Sequence, residues 1–163
     1  MIRPHAGPQM AFLSSTADIA IYGGAAGGGK TWALIAQAAR HIGNPGWRVT
    51  IFRRTSTQVT TQGGLWDESQ ALYPLLGGDP REGLLEWRFP SGAEIKFHHL
   101  QHEANKFDHQ GGQYALIGFD ELCHFTESQF WYLMSRNRSL CGVPPRVRAT
   151  CNPDATSWVA RLI

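Results

Sequence analysis

Residues 21–34 read IYGGAAGGGKTWAL, and five of the seven positions from 23 to 29 are glycine. Upstream, DIAIYGG (Asp18 to Gly24) is a short apolar run closed by glycines, as expected of a buried strand. Downstream, KTWALIAQAARHI sets Trp32, Leu34, Ile35, Ala38 and Ile42 at helical spacing, and GNPG (residues 43–46) stops the helix. Between them Gly24 to Thr31, GAAGGGKT, fits G-x-x-x-x-G-K-[ST] at every position, in the strand–turn–helix setting that gives the pattern its meaning. A loop that wraps phosphate oxygens with backbone N–H groups has no room for most side chains. The helix beginning near Gly29 aims its free N–H groups at the same anion. Gly24, Ala25, Ala26, Gly27, Gly28 and Gly29 are therefore candidate phosphate-cradling residues. Lys30 is the candidate cation for the outer phosphates and Thr31 a candidate Mg²⁺ ligand. ATP or GTP is the implied ligand.

The rest of the chain supplies a sheet for that loop. WRVTIFR (Trp47 to Arg53) reads as a second strand, and residues 61–76 as a helix interrupted by Gly63, Gly64 and Pro74. LLEWRF and EIKFHHL alternate about Pro90–Ala93 and predict a β-hairpin. YALIGF (Tyr114 to Phe119) is continuously apolar, as in a central strand covered on both faces. Thr126 to Arg136 reads as a helix with a capping threonine, and PRVRATCNP as a last strand ending before Asn152. With no repeat and no linker, one α/β domain is expected, with a mainly parallel central sheet flanked by helices and a β-hairpin insertion.

Ligands of open parallel sheets sit beyond the strands' carboxyl ends. The run YALIGF delivers two acids there. Asp120 is placed to hold Mg²⁺, directly or through water, and Glu121 to orient and deprotonate an attacking water. The second carboxylate favours ATP hydrolysis over nucleotide kinase or GTPase chemistry. ATCNP ends the last strand in polar residues. There Thr150 and Asn152 either sense the γ-phosphate or simply form an Asn-Pro turn, and composition does not choose between them.

Bulk properties bound the remainder. The 163 residues are 42% hydrophobic, enough for one domain with a sizeable core. No apolar run approaches the length of a membrane span, and the N-terminus has no sustained apolar signal region. Net charge is +2, so contact with nucleic acid has to be local or to lie partly on further sequence. Three cysteines without a CxxC pair fit a reducing compartment. His98, His99, His102 and His109 lack the companions of a zinc site and read as a polar face.

Taken together, these stretches resemble the ATPase domain of viral large terminases, the motors that pump double-stranded DNA into phage heads. PQMAFLSS is similar to the family's upstream glutamine motif, in which Gln9 would read adenine. GGAAGGGKT resembles its phosphate loop, LIGFDEL its aspartate–glutamate strand, and ATCNP its coupling motif. FRRT and SRNR also look familial. The resemblance implies a P-loop NTPase of the additional-strand catalytic-glutamate (ASCE) class, using ATP and Mg²⁺ in the host cytoplasm. It implies double-stranded DNA, a portal protein and a small terminase subunit as partners, a homo-oligomeric ring, and no membrane. Full-length relatives carry a second, nuclease domain, which 163 residues do not accommodate, so the chain is expected to be the ATPase domain alone. Rival readings are another nucleic-acid P-loop ATPase, helicase or recombinase-like, and a nucleotide-gated interaction module.

Ring motors stabilise transition-state charge with an arginine. Arg53, Arg54, Arg136 and Arg138 are the candidates, with Arg54 and Arg138 the preferred pair. Arg81, Arg88, Lys96 and Lys106 lie in or near the hairpin and are either DNA-phosphate contacts or an ordinary solvated surface.

Overall fold

In the computed structural model, residues 2–25, 29–152 and 154–163 are described. A short helix α1 (Pro8–Ser14) leads into β1 (Ile19–Gly23), and α2 (Lys30–Ala38) follows the glycine-rich loop. Then come β2 (Arg48–Arg53), the short helices α3 (Ser56–Thr60) and α4 (Leu65–Gln70), β3 (Asp79–Arg81), β4 (Glu86–Arg88) and β5 (Glu94–His99). The chain closes with β6 (Leu116–Phe119), α5 (Glu127–Met134), β7 (Arg146–Cys151) and α6 (Val159–Leu162).

The seven strands form one sheet in the order β1-β7-β6-β2-β5-β4-β3. The first five are parallel, and β4 and β3 extend the edge antiparallel. The β4–β5 pair is the expected hairpin, with Glu86 opposite Lys96 and Arg88 opposite Glu94. β7 lies between β1 and β6, the inserted strand of the ASCE arrangement. The end of β7 therefore stands between the strand feeding the phosphate loop and the strand feeding Asp120.

Strand alternation sorts side chains to two cores. Val49, Ile51, Ile95, Phe97 and Leu116 pack with Leu34 of α2, Leu65 of α4 and Phe12 of α1. Phe52, Ile117, Phe119, Val147 and Ala149 pack on the other face with Phe130 and Leu133 of α5 and Val159 of α6. Gly118 lies beneath α2, where a Cβ would meet Ile51 at 3.0 Å and Leu34 at 3.2 Å. Both neighbours are fully buried. Gly118→Ala is expected to destabilise by about 1–3 kcal/mol, the usual cost of overpacking a core, as read from a denaturant midpoint shift.

Two expectations shift. The helix expected over residues 61–76 is only α4 followed by a 3-10 turn, Tyr73–Leu76. The Asp67 carboxylate accepts the Gly63 N–H in the turn before α4, and Pro74, with no N–H to give, opens the 3-10 turn. Helix α5 runs from Glu127 to Met134 with Thr126 as its N-cap and Gln129 closing the capping box, so it ends two residues short of the expected Arg136. The N-terminal helix α1, with Pro8 in its first turn, is an addition to the expected elements.

Candidate nucleotide site

Because side chains alternate along a strand, Arg53 on β2, Asp120 just after β6 and Thr150 on β7 fall on the α2 side of the sheet, at its carboxyl edge. Thr31, in the first turn of α2, faces them. Asp120 is completely buried. Its Oδ1 accepts from the Thr150 hydroxyl at 2.6 Å, and the Thr31 hydroxyl donates to both carboxylate oxygens at 3.3 and 3.1 Å. Arg53 presents Nε and Nη2 to Oδ2, each at 2.7 Å. A buried carboxylate is stable only when neutralised and hydrogen-bonded, and this one is both.

Lys30 is also buried. Its ammonium donates to the carbonyls of Gly24 and Ala25, both at 2.7 Å, and to Asn152 Oδ1 at 3.0 Å. The phosphate-loop lysine and the end of β7 are thus linked side chain to side chain. Gly29 takes a left-handed conformation (φ 67°), and a Cβ there would lie 2.8 Å from Gln9 Nε2, so this position tolerates little but glycine. Gln9, itself buried, donates through Nε2 to Gly29 O at 3.1 Å and accepts the His5 N–H. It props the loop where α2 begins. The candidates Ala26, Gly27 and Gly28 lie outside the described residues.

Glu121 is one of two non-glycine residues with positive φ among the described residues (φ 60°, ψ 60°). Its N–H donates to Thr150 Oγ1 at 3.1 Å, and its carbonyl accepts from His124 N at 2.9 Å. These bonds hold an uncommon backbone turn that sends the chain from β6 over the edge of the sheet. Thr150 therefore binds both members of the acid pair, Asp120 through its hydroxyl hydrogen and the Glu121 amide through its oxygen. Behind it, burial and the neighbouring Cys123 push the Cys151 thiol up to about 11, which keeps it protonated at neutral pH. Cys123 Sγ donates to Asn152 O at 3.5 Å.

The arginine candidates separate. Arg53, outside the preferred pair, is the one brought to Asp120. Arg54 falls on the opposite face, where Nη1 donates to Gln129 Oε1 at 3.1 Å at the start of α5. Arg138 is exposed, and its backbone N–H donates to Tyr114 O at 3.1 Å, before the start of β6. That is the amino edge of the sheet, away from Asp120. Arg136 stays by α5, with Nε on Ser135 and the guanidinium over the Tyr132 ring. A strand ending in two arginines carried the signal for Arg53, but choosing between neighbours required the strand's phase.

Among the hairpin cations, Arg88 pairs with Glu86 at 3.2 Å and Lys106 with Glu103 at 2.9 Å, while Arg81 is exposed. Lys96 lines a polar cavity of about 330 Å³ with His98, Asp108 and His109. His98 and His109 pack edge to face, 4.6 Å between ring centroids, against Phe52. Burial, then the neighbouring His109, lowers the His98 pKa to about 3, so this ring stays neutral. Among the described residues no three His, Cys, Asp or Glu side chains are grouped to hold a metal, and no helix is long and apolar enough to cross a membrane.

The sequence profile described as terminase large subunit, T4likevirus-type, N-terminal, matches residues 21–163. Comparison with curated protein sequences finds no match. Among solved structures, the large terminase of a thermophilic bacteriophage superposes with a TM-score of 0.74 at 15% identity, over 99% of this chain and 42% of that one. The ATPase domain of the Thermus phage P74-26 large terminase gives 0.67 at 17% identity, over 98% and 68%. The large terminase of bacteriophage HK97 gives 0.72 at 12% identity, over 95% and 35%. The chain spans less than half the length of the first and the last of these three proteins. The first has also been solved in complex with ADP and with ATP-gamma-S. At these identities the likeness concerns the fold; the profile match covers most of the sequence, and by it the chain belongs to the T4likevirus-type terminase large subunits, as their N-terminal part.

Proposed function

We propose that this chain is an ATPase that drives double-stranded viral DNA into a procapsid, the motor part of a large terminase. The observation that carries the reading is the acid pair at the end of β6. Asp120 is bonded to Thr31 of the phosphate-loop helix, and Glu121 is turned over the same edge by Thr150. A binding module needs the loop and its lysine; it has no use for a second carboxylate held in a costly backbone conformation.

In the proposed reaction the N–H groups of the loop and of the first turn of α2 bind the phosphates. Lys30 exchanges the Gly24 and Ala25 carbonyls for β- and γ-phosphate oxygens. The donor set of Thr31 hydroxyl and Asp120 carboxylate is all oxygen, as Mg²⁺ prefers. When bound there, the ion supplies positive charge to the β- and γ-phosphate oxygens. Glu121 accepts the proton of the attacking water as its oxygen bonds to phosphorus and the bond to the ADP oxygen breaks. Because Lys30 also holds Asn152, a change in its phosphate contacts reaches the end of β7 directly. That is the proposed sensing route, and it gives Asn152 a role beyond a turn. Gln9 buttresses the loop, and its second amide hydrogen is the one it would offer to adenine.

Arg54 and Arg138 remain the proposed charge-stabilising arginines: Arg54 would have to leave its bond to Gln129 on the opposite face, and Arg138 acts on a neighbouring subunit's site because it sits at the far edge of its own sheet. This requires a homo-oligomeric ring. Its setting would be a portal in the host cytoplasm, with double-stranded DNA and a small terminase subunit as the other partners. Mg-ATP hydrolysis measured across a range of protein concentrations tests this. The specific rate is expected to rise with concentration and to vanish in Glu121→Gln. A rate flat in concentration but lost in the variant would mean an arginine in cis. ATP binding without hydrolysis at any concentration, in both proteins, would favour the nucleotide-gated module.

A further inference from the structure

We infer that Arg53 and a divalent cation compete for the same lone pairs of Asp120, so that Arg53 is a built-in counter-ion which the metal has to displace. The inference rests on the nucleotide-site reading above.

Asp120 has no exposure to solvent, and its acceptor capacity is fully used. A carboxylate offers about four lone-pair positions. Here Oδ1 takes the Thr150 hydroxyl, Oδ2 takes Nε and Nη2 of Arg53, and the Thr31 hydroxyl spans both oxygens. The guanidinium is equally committed, since Nη1 points to Gln58 O at 3.5 Å at the first turn of α3. Mg²⁺ coordinates oxygen at roughly 2.0–2.1 Å in a near-ideal octahedron. The lone pairs of Oδ2 cannot serve such an ion, or its bound water, while two guanidinium nitrogens lie 2.7 Å away on them. Two positive charges within a few ångströms in a buried site also repel each other strongly. Oδ1 is held by the Thr150 hydroxyl, and the Thr31 hydroxyl lies nearer Oδ2 (3.1 Å) than Oδ1 (3.3 Å), so an ion shared by Thr31 and Asp120 is directed to Oδ2, where the guanidinium sits. The site then has two forms, guanidinium on Oδ2 or metal on Oδ2. Each leaves the buried carboxylate neutralised.

The opposing view makes Arg53 a permanent brace that keeps Asp120 oriented for the metal. The two views give opposite signs when the guanidinium is removed. Mn²⁺ binding to the 163-residue chain in the presence of ADP, followed by the loss of the free-ion EPR signal, separates them. Wild type is expected to bind Mn²⁺, and Asp120→Asn to lose that binding. Arg53→Gln is expected to bind about tenfold tighter or more, the scale of one charge-assisted hydrogen bond removed from the competitor. Arg53→Lys, which keeps the charge but not the fork, should fall between. Thermal melts give a second readout: without metal Arg53→Gln should melt below wild type, and Mg²⁺ should raise its Tm by more than it raises that of wild type.

Equal or weaker Mn²⁺ binding by Arg53→Gln overturns the competition and leaves the metal site standing. No Mn²⁺ binding by wild type removes the metal-site reading, and the competition with it. Should Arg53→Gln fail to fold, wild type alone still decides through the arginine Nε–H signals in ¹⁵N NMR. The Arg53 signal, shielded from exchange on Asp120, is expected to shift and exchange faster on adding Mg²⁺ and ADP. An unmoved, still-protected signal overturns the proposal.

Discussion

Replacing Glu121 by glutamine is expected to lower the rate constant for ATP hydrolysis by about 10²–10⁴-fold, the usual contribution of a positioned general base. ATP affinity should stay unchanged, because the residue is past the end of β6 and outside the phosphate loop. The backbone makes a companion variant informative. Glu121 sits at φ 60°, ψ 60°, where a side chain costs about 1–2 kcal/mol that glycine does not incur. Glu121→Gly should therefore be as inactive as Glu121→Gln without losing stability on that account, and a melting curve beside a phosphate-release assay checks both. Retention of near-wild-type turnover in Glu121→Gln would place the base elsewhere and remove the argument built on the acid pair.

Lys30→Ala has the second large effect, on binding rather than on the chemical step. Hydrogen bonds to a charged group contribute about 1.5–3 kcal/mol each, so losing two phosphate contacts comes to roughly 3–6 kcal/mol, or 10²-fold and more in affinity for ATP. Titration with a fluorescent ATP analogue measures it directly. The variant also leaves the Gly24 and Ala25 carbonyls and Asn152 Oδ1 without their shared donor. Some loss of stability in the absence of nucleotide is expected with it. Asn152→Ala then separates the two roles of the lysine: ATP binding should survive, since Lys30 still reaches the phosphates. What should be lost is any nucleotide-dependent change at the end of β7, followed by hydrogen exchange of residues 149–152. Unchanged exchange behaviour in Asn152→Ala would mean that the Lys30–Asn152 bond transmits nothing.

Most of the architecture was legible along the chain because the signals are local. The glycines of the phosphate loop, the apolar run ending in Asp120 and Glu121, the turn at Pro90–Ala93 and the capping threonine at 126 each act within a few residues. The helix expected over residues 61–76 was legible only in part. Its apolar pattern was real, but Pro74 and the turn before Leu65 divided it into α4 and a 3-10 turn.

What the amino-acid sequence determined by itself, then, was the set of parts: a phosphate loop, an acid pair after a buried strand, and a parallel sheet to carry them. Which arginine meets the acid pair was decided in three dimensions. Arg53 and Arg54 are neighbours of one type, and no local signal ranks them. The alternation of β2, locked by pairing Val49 with Leu116 and Phe52 with Phe119, turns Arg53 toward Asp120 and Arg54 toward Gln129. The same holds for Lys30 and Asn152, 122 residues apart in the chain and 3.0 Å apart in the fold. They meet only because β7 is inserted beside β1, and strand order depends on the whole sheet burying both of its faces at once.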